Sequence, residues 1–423
     1  MACVLGQRTL QFMNHGVSPA AVRLVLAFML VLGAATAQTF TVLYEFTNVP
    51  DGADPSVLIR DSAGNLYGTT AAGGTVCDTY GNGCGTVFKL DSSGTETVLY
   101  RFSGGTDGGN PEAGLVRDSA GNLYGTTRIG GANGVGTVFK VDPSGKETVL
   151  YSFDTKHGNY PASSLVRDSE GNLYGVTSGG GGYYQYGMVF EISAAGKESV
   201  LHKFTGGSDG KFPFGRLVRD SSGNLYGSTS DDQASAQKQQ VASYSYGTIF
   251  KLTHTGKKSV LHRFSVNQVQ PTDGLIRGAD GNFYGTTYLG GGSDGCNNDG
   301  RGCGTVFKLN ENGKFTVLYT FQGGTDGGNP VGNLTPDAQG NLYGVGWNSE
   351  GTGCFGGPCG MVFELGTNDV EKVLYTFEPV GGTRGGGSSG SLLLDAAGNF
   401  YGSGGGGTGC GYGGCGVIFE LTP

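Results

Sequence analysis

"RDSAGNLYGTT", residues 60–70, decides the fold because the chain repeats it. Close copies start at 117, 167 and 219, and weaker copies start at 277, 336 and 394. "TVFKL" and its variants start at 86, 137, 188, 248, 305, 361 and 417. "VLYEF" and its variants start at 42, 98, 149, 200, 260, 317 and 373. The chain therefore consists of seven units, whose "GNLYG" or "GNFYG" segments lie 50 to 59 residues apart.

Each unit contains four short runs of β-branched, aromatic and other apolar residues, bounded by Gly, Asp, Asn and Ser. Such runs predict strands. The segments "DSAGN" and "DPSG" suit type I turns with Gly in the left-handed position. Four antiparallel strands repeated at this period are typical of a β-propeller blade. The sequence predicts an all-β protein, a single seven-bladed β-propeller of four-stranded blades.

The two ends of the repeat array predict how the ring closes. A lone strand, "TVLYEF" at 41–46, precedes the first unit, and the last unit stops after "GVIFEL" at 416–421, one strand short. We expect the blade order LVRD, NLYG, TVFKL, VLYxF from axis to rim. The N-terminal strand then completes the last blade, which leaves no open sheet edge.

Residues 1–37 differ in kind from the rest. Arg8 and Arg23 precede the apolar run "LVLAFMLVLGAATA", which ends in the cleavage pattern Ala35-Thr36-Ala37. This pattern predicts a signal peptide over 1–37, followed by the propeller over 38–423. No Cys ends the apolar run and no hydrophobic tail follows "VIFELTP". We expect a monomer exported through the secretory pathway, extracellular or periplasmic, with no membrane insertion.

Composition narrows the classes of partner. The formal net charge is −8, and no basic stripe is present. An acidic protein of this kind is not expected to bind nucleic acid or an anionic membrane surface. Gly accounts for 84 of 423 residues, but it recurs at fixed places between apolar runs and so indicates ordered turns.

The unit "GNLYGTT…GG…GTVFKLD…G…TVLYxF" resembles the GloVer (Gloeo/Verruco) tandem repeat of exported bacterial proteins. It is more loosely similar to NHL-like and two-component-regulator propellers. The resemblance covers residues 39–423 and implies a propeller-like repeat and export. It carries over no catalytic residues.

Eight of the nine cysteines fall into four local pairs, each just before a third strand. The pairs are Cys77/Cys84, Cys296/Cys303, Cys354/Cys359 and Cys410/Cys415. In an exported protein this spacing favours a disulfide within each loop. Each such bond contributes on the order of 2 kcal/mol in the chain-entropy model. No Cys pair has a His at a zinc-like spacing, so a metal site is not expected here.

The loops predict which face of the propeller carries function. Loops after the NLYG and VLYxF strands emerge on one side, here the long-loop face, and the DSAGN and DPSG turns lie on the opposite, short-turn face. All length variation falls on the long-loop face, where binding sites of rigid repeats usually lie. Aromatic side chains there suit stacking on sugar rings. The candidate ligand-binding residues are Trp347, Tyr183, Tyr184, Tyr80 and Tyr288.

Carboxylates on the same face are candidates for chemistry. The loops "GGTDGGNP" at 104–111 and 323–330 and "GGSDGKFP" at 206–213 place three acids at equivalent positions. The weak catalytic candidates are Asp107, Asp209, Asp326, His157 and Tyr160. Asp before Gly commonly only forms a turn, whereas converging acids serve glycosidic cleavage or Ca²⁺ binding. No full calcium, HExxH or GxSxG motif is present, so no cofactor is predicted and structural Ca²⁺ remains an alternative.

Three functions are compatible with these features. We favour a binding module for a carbohydrate or another extracellular partner such as a protein. The first alternative is a carbohydrate-active enzyme, a glycoside hydrolase or polysaccharide lyase, with ionisable groups facing each other across the channel mouth. The second is a structural scaffold of the cell envelope.

Overall fold

A computed structural model describes residues 38–77, 83–161, 163–181, 186–230, 247–265, 271, 274–293, 295–296, 302–348, 359–377, 390–406 and 415–422, with the backbone only at 348 and 359. Gln38–Thr422 forms one compact unit. These residues contain thirty strands and no α-helix. Two 3-10 turns are present, Gly207–Asp209 and Gly324–Asp326. Among them no helix is long and apolar enough to cross a membrane.

The strands of the first four blades follow β1 (Thr39–Glu45). Blade 1 contains β2 (Ala53–Pro55), β3 (Ile59–Arg60), β4 (Leu66–Ala72), β5 (Thr86–Leu90) and β6 (Glu96–Arg101). Blade 2 contains β7 (Val116–Arg117), β8 (Leu123–Thr127), β9 (Thr137–Val141) and β10 (Glu147–Ser152). Blade 3 contains β11 (Asn159–Pro161), β12 (Val166–Arg167), β13 (Leu173–Gly179), β14 (Met188–Ile192) and β15 (Glu198–Lys203). Blade 4 contains β16 (Lys211–Arg219), β17 (Leu225–Ser230), β18 (Thr248–Leu252) and β19 (Lys258–Arg263).

The remaining strands form three blades. Blade 5 contains β20 (Ile276–Arg277), β21 (Phe283–Thr287), β22 (Thr305–Leu309) and β23 (Phe315–Thr320). Blade 6 contains β24 (Gly328–Pro336), β25 (Leu342–Asn348), β26 (Cys359–Leu365) and β27 (Glu371–Thr376). Blade 7 contains β28 (Leu393–Leu394), β29 (Phe400–Gly404) and β30 (Val417–Thr422).

Seven antiparallel sheets confirm the predicted propeller. Within each sheet the strands follow chain order from inner to outer, and blade 7 takes β1 as its outer strand, in the order β1-β30-β29-β28. Thr39 pairs with Thr422 and Glu45 with Val417. Phe46, which follows β1, is fully buried and packs edge-on against Phe88 of blade 1, with ring centroids 5.1 Å apart. The predicted closure by the N-terminal strand is therefore confirmed.

The inner-strand segments surround a central channel. A cavity of about 470 Å³ is lined by residues of all seven blades, from Val57 and Leu58 of blade 1 to Ser391, Leu392 and Leu393 of blade 7. The axis-to-rim strand order is therefore as predicted.

Aromatic rings join neighbouring blades at the rim side. Phe102 follows the outer strand of blade 1 and packs edge-on against Phe139 in the third strand of blade 2, at 5.0 Å between centroids. The same contact recurs between Phe153 and Phe190. The second strand of blade 2 has Gly125 beneath the Phe139 ring, where a Cβ would lie 2.6 Å from a ring carbon. The Gly of "LYG" is therefore needed for a close approach within the blade core.

The repeated turn ties each blade to the next through what we call the Asp–Tyr–Arg cluster. In blade 2, Asp118 accepts hydrogen bonds from the backbone and side chain of Asn122 and from the Tyr124 hydroxyl, all at 2.9 Å. Arg167 of blade 3 lies over the Tyr124 ring, 5.6 Å from its centroid. Burial alone would raise the pKa of Asp118, but these hydrogen bonds outweigh it and hold that pKa below its usual value. The carboxylate thus both caps its turn and fixes the tyrosine on which the next blade rests.

The cluster recurs around the ring. The Tyr–Asp hydrogen bond is present in all seven blades. Arginines of the following blade also cover Tyr67, Tyr174 and Tyr401. Where blade 6 has Pro336 instead of the arginine, Lys308 of blade 5 binds Asp280 at 2.8 Å. The Tyr–Asp hydrogen bond therefore recurs within every blade, and an arginine of the following blade covers the tyrosine at four of the described junctions.

Replacing Asp118 with Ala is expected to lower the free energy of unfolding by about 2 kcal/mol, because the Tyr124 hydroxyl and three donors of the turn lose their acceptor. The control is Asp142→Ala, which removes a carboxylate that caps the exposed turn before β10 through Ser144 and Lys146 only. Urea unfolding of both variants provides the measurement. Equal losses would contradict a role of Asp118 beyond capping its turn.

Candidate functional site

A left-handed residue before a proline shapes the long-loop face at five blade junctions. Its backbone N–H donates to a carbonyl just before the third strand of the preceding blade, as from Asn110 to Cys84 at 2.8 Å and from Tyr160 to Val135 at 3.0 Å. These residues have φ between 47° and 56°: Asp54, Asn110, Tyr160, Phe212 and Asn329. Asn and Asp tolerate this conformation better than Tyr or Phe do. The two aromatic cases are therefore strained positions at the start of an inner strand.

Disulfides lie at the same junctions. Cys77–Cys84 and Cys296–Cys303 are bonded, with Cα atoms 5.6 Å and 5.4 Å apart, as predicted. Cys415 is also disulfide-bonded, while Cys354, Cys410 and the side chain of Cys359 lie outside the described residues. The carbonyls of Cys84, Cys303 and Cys415 each accept the hydrogen bond from the next blade. The disulfides thus stiffen the loops at points where blades meet, and they are typical of exported proteins.

Tyr160 is the one exposed side chain among the described Phe, Tyr and Trp residues, at 41% of its full area. Arg128 of blade 2 lies over its ring, 5.9 Å from the centroid. The Arg128 guanidinium is held in turn by Glu112, with Nη1 and Oε1 2.9 Å apart. The Tyr160 carbonyl accepts a hydrogen bond from the Ser178 hydroxyl at 3.0 Å. We call Tyr160, Arg128 and Glu112 the Tyr160 platform.

Of the predicted ligand-binding aromatic residues, two are described by the structure, and both are less exposed than Tyr160. Trp347 is half-buried in β25, where it pairs with Gly328 and Gly360 of the flanking strands. Tyr288 is also half-buried, and its carbonyl accepts a hydrogen bond from Asn329 at 2.8 Å. Tyr80, Tyr183 and Tyr184 lie outside the described residues. A role of these five residues in binding stays a prediction.

The three equivalent aspartates lie at separate blade junctions, against outer strands. Asp107 accepts hydrogen bonds from the Tyr100 hydroxyl at 3.0 Å and from the Ser103 backbone at 2.8 Å. Asp326 does the same with Tyr319 at 2.8 Å and Gln322 at 2.9 Å. The structure does not bring these carboxylates together at one site, and their catalytic role stays an untested prediction.

Asp209 forms a charged cluster at the junction of blades 3 and 4. Its carboxylate is 2.6 Å from Lys258 Nζ and 3.1 Å from His202 Nε2. Burial would raise the pKa of Asp209, but the Lys258 ammonium and the Thr205 N–H lower it overall. Burial lowers the pKa of both Lys258 and His202. The cluster is a half-buried ion pair that joins two outer strands.

His157 lies at the junction of blades 2 and 3, as Tyr160 does. Its Nδ1 is 3.0 Å from an oxygen of Asp154, and its backbone N–H donates to the same carboxylate at 2.6 Å. The Asp–His pair orients the imidazole and closes the loop that leads to Tyr160. A catalytic role for His157 and Tyr160 remains a prediction.

Glutamates at the first position of four outer strands were missed by the sequence analysis. Glu147 of blade 2 is half-buried, and its Oε1 is enclosed without a hydrogen-bond partner. Burial, and then the charge of Asp107, raise the pKa of Glu147 to about 7. Glu96 beside Asp51 and Glu371 beside Asp326 also have pKa values raised to about 7 for these two reasons. These glutamates recur at a fixed repeat position, but their aspartate neighbours belong to another blade.

At other junctions the same repeat position holds a lysine or an aromatic residue. Lys258 occupies it in blade 4 and binds Asp209. Phe315 occupies it in blade 5 and stacks on His262, with centroids 3.9 Å apart. Phe40 occupies it in β1 and stacks on Tyr375 at 5.0 Å. One geometric position therefore supports acid pairs, an ion pair or aromatic stacks. Within the described part of the chain, no three His, Cys, Asp or Glu side chains are grouped to hold a metal ion.

A model of the Gloeobacter/Verrucomicrobia repeat matches residues 30–241 and 235–423. The chain belongs to the Gloeobacter/Verrucomicrobia repeat family. The match covers the whole propeller, and the resemblance of the "GNLYG" unit to this repeat is confirmed. No curated protein is recognisably similar to this member of the family.

Solved structures share the fold of this Gloeobacter/Verrucomicrobia repeat protein at low identity. A catalytically inactive virginiamycin B lyase from Staphylococcus aureus, with quinupristin, has a TM-score of 0.57 and 13% identity, over 91% of this chain and 99% of the lyase. A fungal alcohol oxidase of the AA5 family, with copper, has a TM-score of 0.58 and 15% identity, over 92% of this chain and 77% of the oxidase.

The extracellular domain of a two-component-system protein from B. thetaiotaomicron has a TM-score of 0.55 and 10% identity to this chain. The likeness covers 91% of this chain and 39% of the solved chain. At these identities the likeness establishes the propeller fold and no shared activity.

Replacing Glu147 and Glu371 with Gln is expected to stabilise the protein at pH 8 and leave it unchanged at pH 4.5. Carboxyls with raised pKa contribute stability below the unfolded pKa of about 4.5, and that contribution is lost as pH rises through about 7. After solvent screening we expect about 1 kcal/mol per site at pH 8.

Urea unfolding at the two pH values measures this difference, and Glu170→Gln on an exposed turn is the matched control. Equal stability of the double variant and the parent at pH 8 would show that the junction carboxyls are already well solvated.

Proposed function

We propose that this protein is an exported binding module that recognises a carbohydrate through the long-loop face, with the Tyr160 platform as the contact. The exposed Tyr160 side chain carries the proposal, because a rigid blade presents its ring to solvent beside the paired side chains of Arg128 and Glu112. Export is supported by the predicted signal peptide over 1–37 and by the disulfides.

The chemistry of the platform fits a sugar ring. A tyrosine face provides an apolar surface for the C–H groups of a pyranose. The guanidinium of Arg128 supplies donors and the carboxylate of Glu112 supplies acceptors next to it, which suits the hydroxyl groups at the ring edge. Both charged groups are already paired with each other, so a neutral or weakly charged sugar is favoured over a strongly charged one.

Rigidity supports recognition as well. Tyr160 is held by its N–H to Val135 and its carbonyl to Ser178, so its left-handed backbone is fixed before a ligand arrives. Tyr183 and Tyr184 belong by sequence to the loop between β13 and β14 of the same blade. They extend the proposed contact, and Trp347, Tyr288 and Tyr80 are candidates for further contacts on the same face.

The enzyme alternative has less support. Asp107, Asp209 and Asp326 each satisfy local N–H and side-chain donors at different junctions, whereas a glycosidase needs two carboxyls roughly 5–10 Å apart. The His157–Asp154 pair lies at the same junction as Tyr160, so it is the group to test if a reaction is found.

Binding is tested by depletion of the purified protein onto a panel of insoluble plant and microbial polysaccharides. Tyr160→Asn removes the ring but keeps the backbone, since Asn occupies the equivalent left-handed position in blades 2 and 6. We expect at least tenfold weaker binding to the polysaccharide that the parent recognises. Val370→Ala, at an exposed residue of the short-turn face, is the control and should bind as the parent does.

Two outcomes would overturn the proposal. Unchanged binding by Tyr160→Asn would place the contact elsewhere. Oligosaccharides released into the supernatant, detected by mass spectrometry and abolished by His157→Ala or Asp107→Asn, would make the protein an enzyme and not a binding module.

A further inference from the structure

The central channel contains a polar ring that the repeat motif does not explain. One residue per blade, just before the buried leucine of the inner segment, stands at an equivalent position. These residues, here called the channel ring, are Val57, Gly114, Ser164, Arg216, Gly274, Asn333 and Ser391. All of them except Gly274 line the channel cavity. Most are small, so the two long polar side chains, Arg216 and Asn333, have room.

Local backbone turns Arg216 out of the sheet. It lies in β16, where the pairing with β17 shifts between Phe214 and Val218. Gly215 has a φ of 69° at this irregularity, a conformation that side chains rarely adopt. The same break in strand pairing recurs in blades 1, 3 and 6, and in blade 4 it leaves Arg216 unpaired in the ladder, where it contributes to the channel wall.

Arg216 is a cation that has no counter-ion in the described part of the chain. Its side chain is accessible to solvent, yet the channel wall surrounds it so closely that burial lowers the pKa of its guanidinium. No described residue forms a hydrogen bond or ion pair with this side chain. Among the residues that the structure describes, no Asp or Glu lines the cavity. A guanidinium stays protonated in proteins, so Arg216 presents to the channel a charge that no described residue matches.

The other cations of the cavity are already paired. Arg219 lies 3.8 Å from Asp168, and Arg277 lies 2.5 Å from Glu311. Both belong to the end of the inner segment that meets the short-turn face. At the level of the channel ring, Arg216 is thus the single unpaired charge among the described lining residues.

Asn333 supplies a second unmatched group. Its Oδ1 atom is enclosed and has no hydrogen-bond partner. Its backbone N–H donates to the Ser391 hydroxyl at 2.8 Å, which fixes blade 6 against blade 7 at the ring. An enclosed acceptor needs a donor, and the five donors of a guanidinium need acceptors. The cavity therefore offers donors on one side of the ring and an acceptor from another blade.

We propose that the channel is a binding site for one small hydroxy-carboxylate, such as a sugar acid. The carboxylate forms a bidentate pair with Arg216, and a ligand hydroxyl donates to Asn333 Oδ1. A single guanidinium matches a monoanion, whereas a phosphate dianion would leave a charge unpaired. The cavity of about 470 Å³ falls within the roughly 300–1,000 Å³ of small-molecule sites.

The wall below the ring supports a ligand with a carbon frame. The next channel-lining residues toward the short-turn face are largely apolar, and they include Ile59, Val166, Val218, Ile276 and Leu393. Such a collar provides an apolar surface for the C–H groups of the ligand. The site does not depend on the Tyr160 platform, which lies at the surface of one blade junction.

Calorimetric titration of the purified protein at low salt tests the proposal with defined probes. D-galacturonate and D-glucuronate are the hydroxy-carboxylates, D-galactose is the neutral control, and acetate and inorganic phosphate vary the anion. We expect one uronate per chain and no saturable binding of galactose. Arg216→Met should weaken uronate binding more than tenfold, whereas Arg101→Met at the rim should leave it unchanged.

Two further variants separate binding from folding. Arg216→Lys keeps the positive charge but loses the planar guanidinium that binds a carboxylate through two hydrogen bonds. Its affinity for uronate should therefore fall between those of the parent and of Arg216→Met. Asn333→Ala should weaken uronate binding several-fold and leave acetate binding unchanged. Uronate binding equal in parent and Arg216→Met, galactose binding equal to uronate, phosphate binding tighter than either uronate, or no saturable uronate binding would each overturn the proposal.

Discussion

The hydrogen bond from the tyrosine hydroxyl to the aspartate of "DxxGN" is the contact on which the ring depends. It holds the Tyr124 ring upright against Asp118, so that Arg167 of the next blade can rest on it. The carboxylate also closes the turn that sets the inner and second strands in register. Because the same group serves its own blade and, at four junctions, receives an arginine of the next blade, its copies fix the blades and contribute to their spacing. The channel and the loop faces follow from that spacing.

The candidate functional side chains lie at positions where the repeats differ in sequence. The channel ring has small residues in most blades and a guanidinium in blade 4. The left-handed residue before proline is Asn or Asp in three blades but an exposed tyrosine in blade 3. The first residue of the outer strand is an acid, a lysine or an aromatic. Repeat propellers acquire separate sites in this way, because the frame is constant while positions at its axis, its face and its rim vary.

Much of the fold followed from the sequence because it depends on local patterns. Strand order, closure by β1 and the Cys77–Cys84 pair are set by spacing within one repeat or at the chain ends. The Tyr160 platform and the channel site at Arg216 depend instead on contacts between repeats. Nothing in "NYP" predicts that Tyr160 turns outward, since that follows from a bond to Val135 of blade 2. Likewise, "GRLVR" does not predict that Arg216 lines the channel without a described counter-ion, because the residues around it belong to the other blades.

Closure of the ring by β1 is tested most directly by comparing the urea unfolding of chains that begin at Gln38 and at Thr47. The shorter chain loses the outer strand of blade 7, together with the fully buried Phe46. Closure predicts a loss of more than about 3 kcal/mol in unfolding free energy, with early exposure of β30 to hydrogen exchange. The same unfolding midpoint and the same protection of β30 in both chains would contradict it.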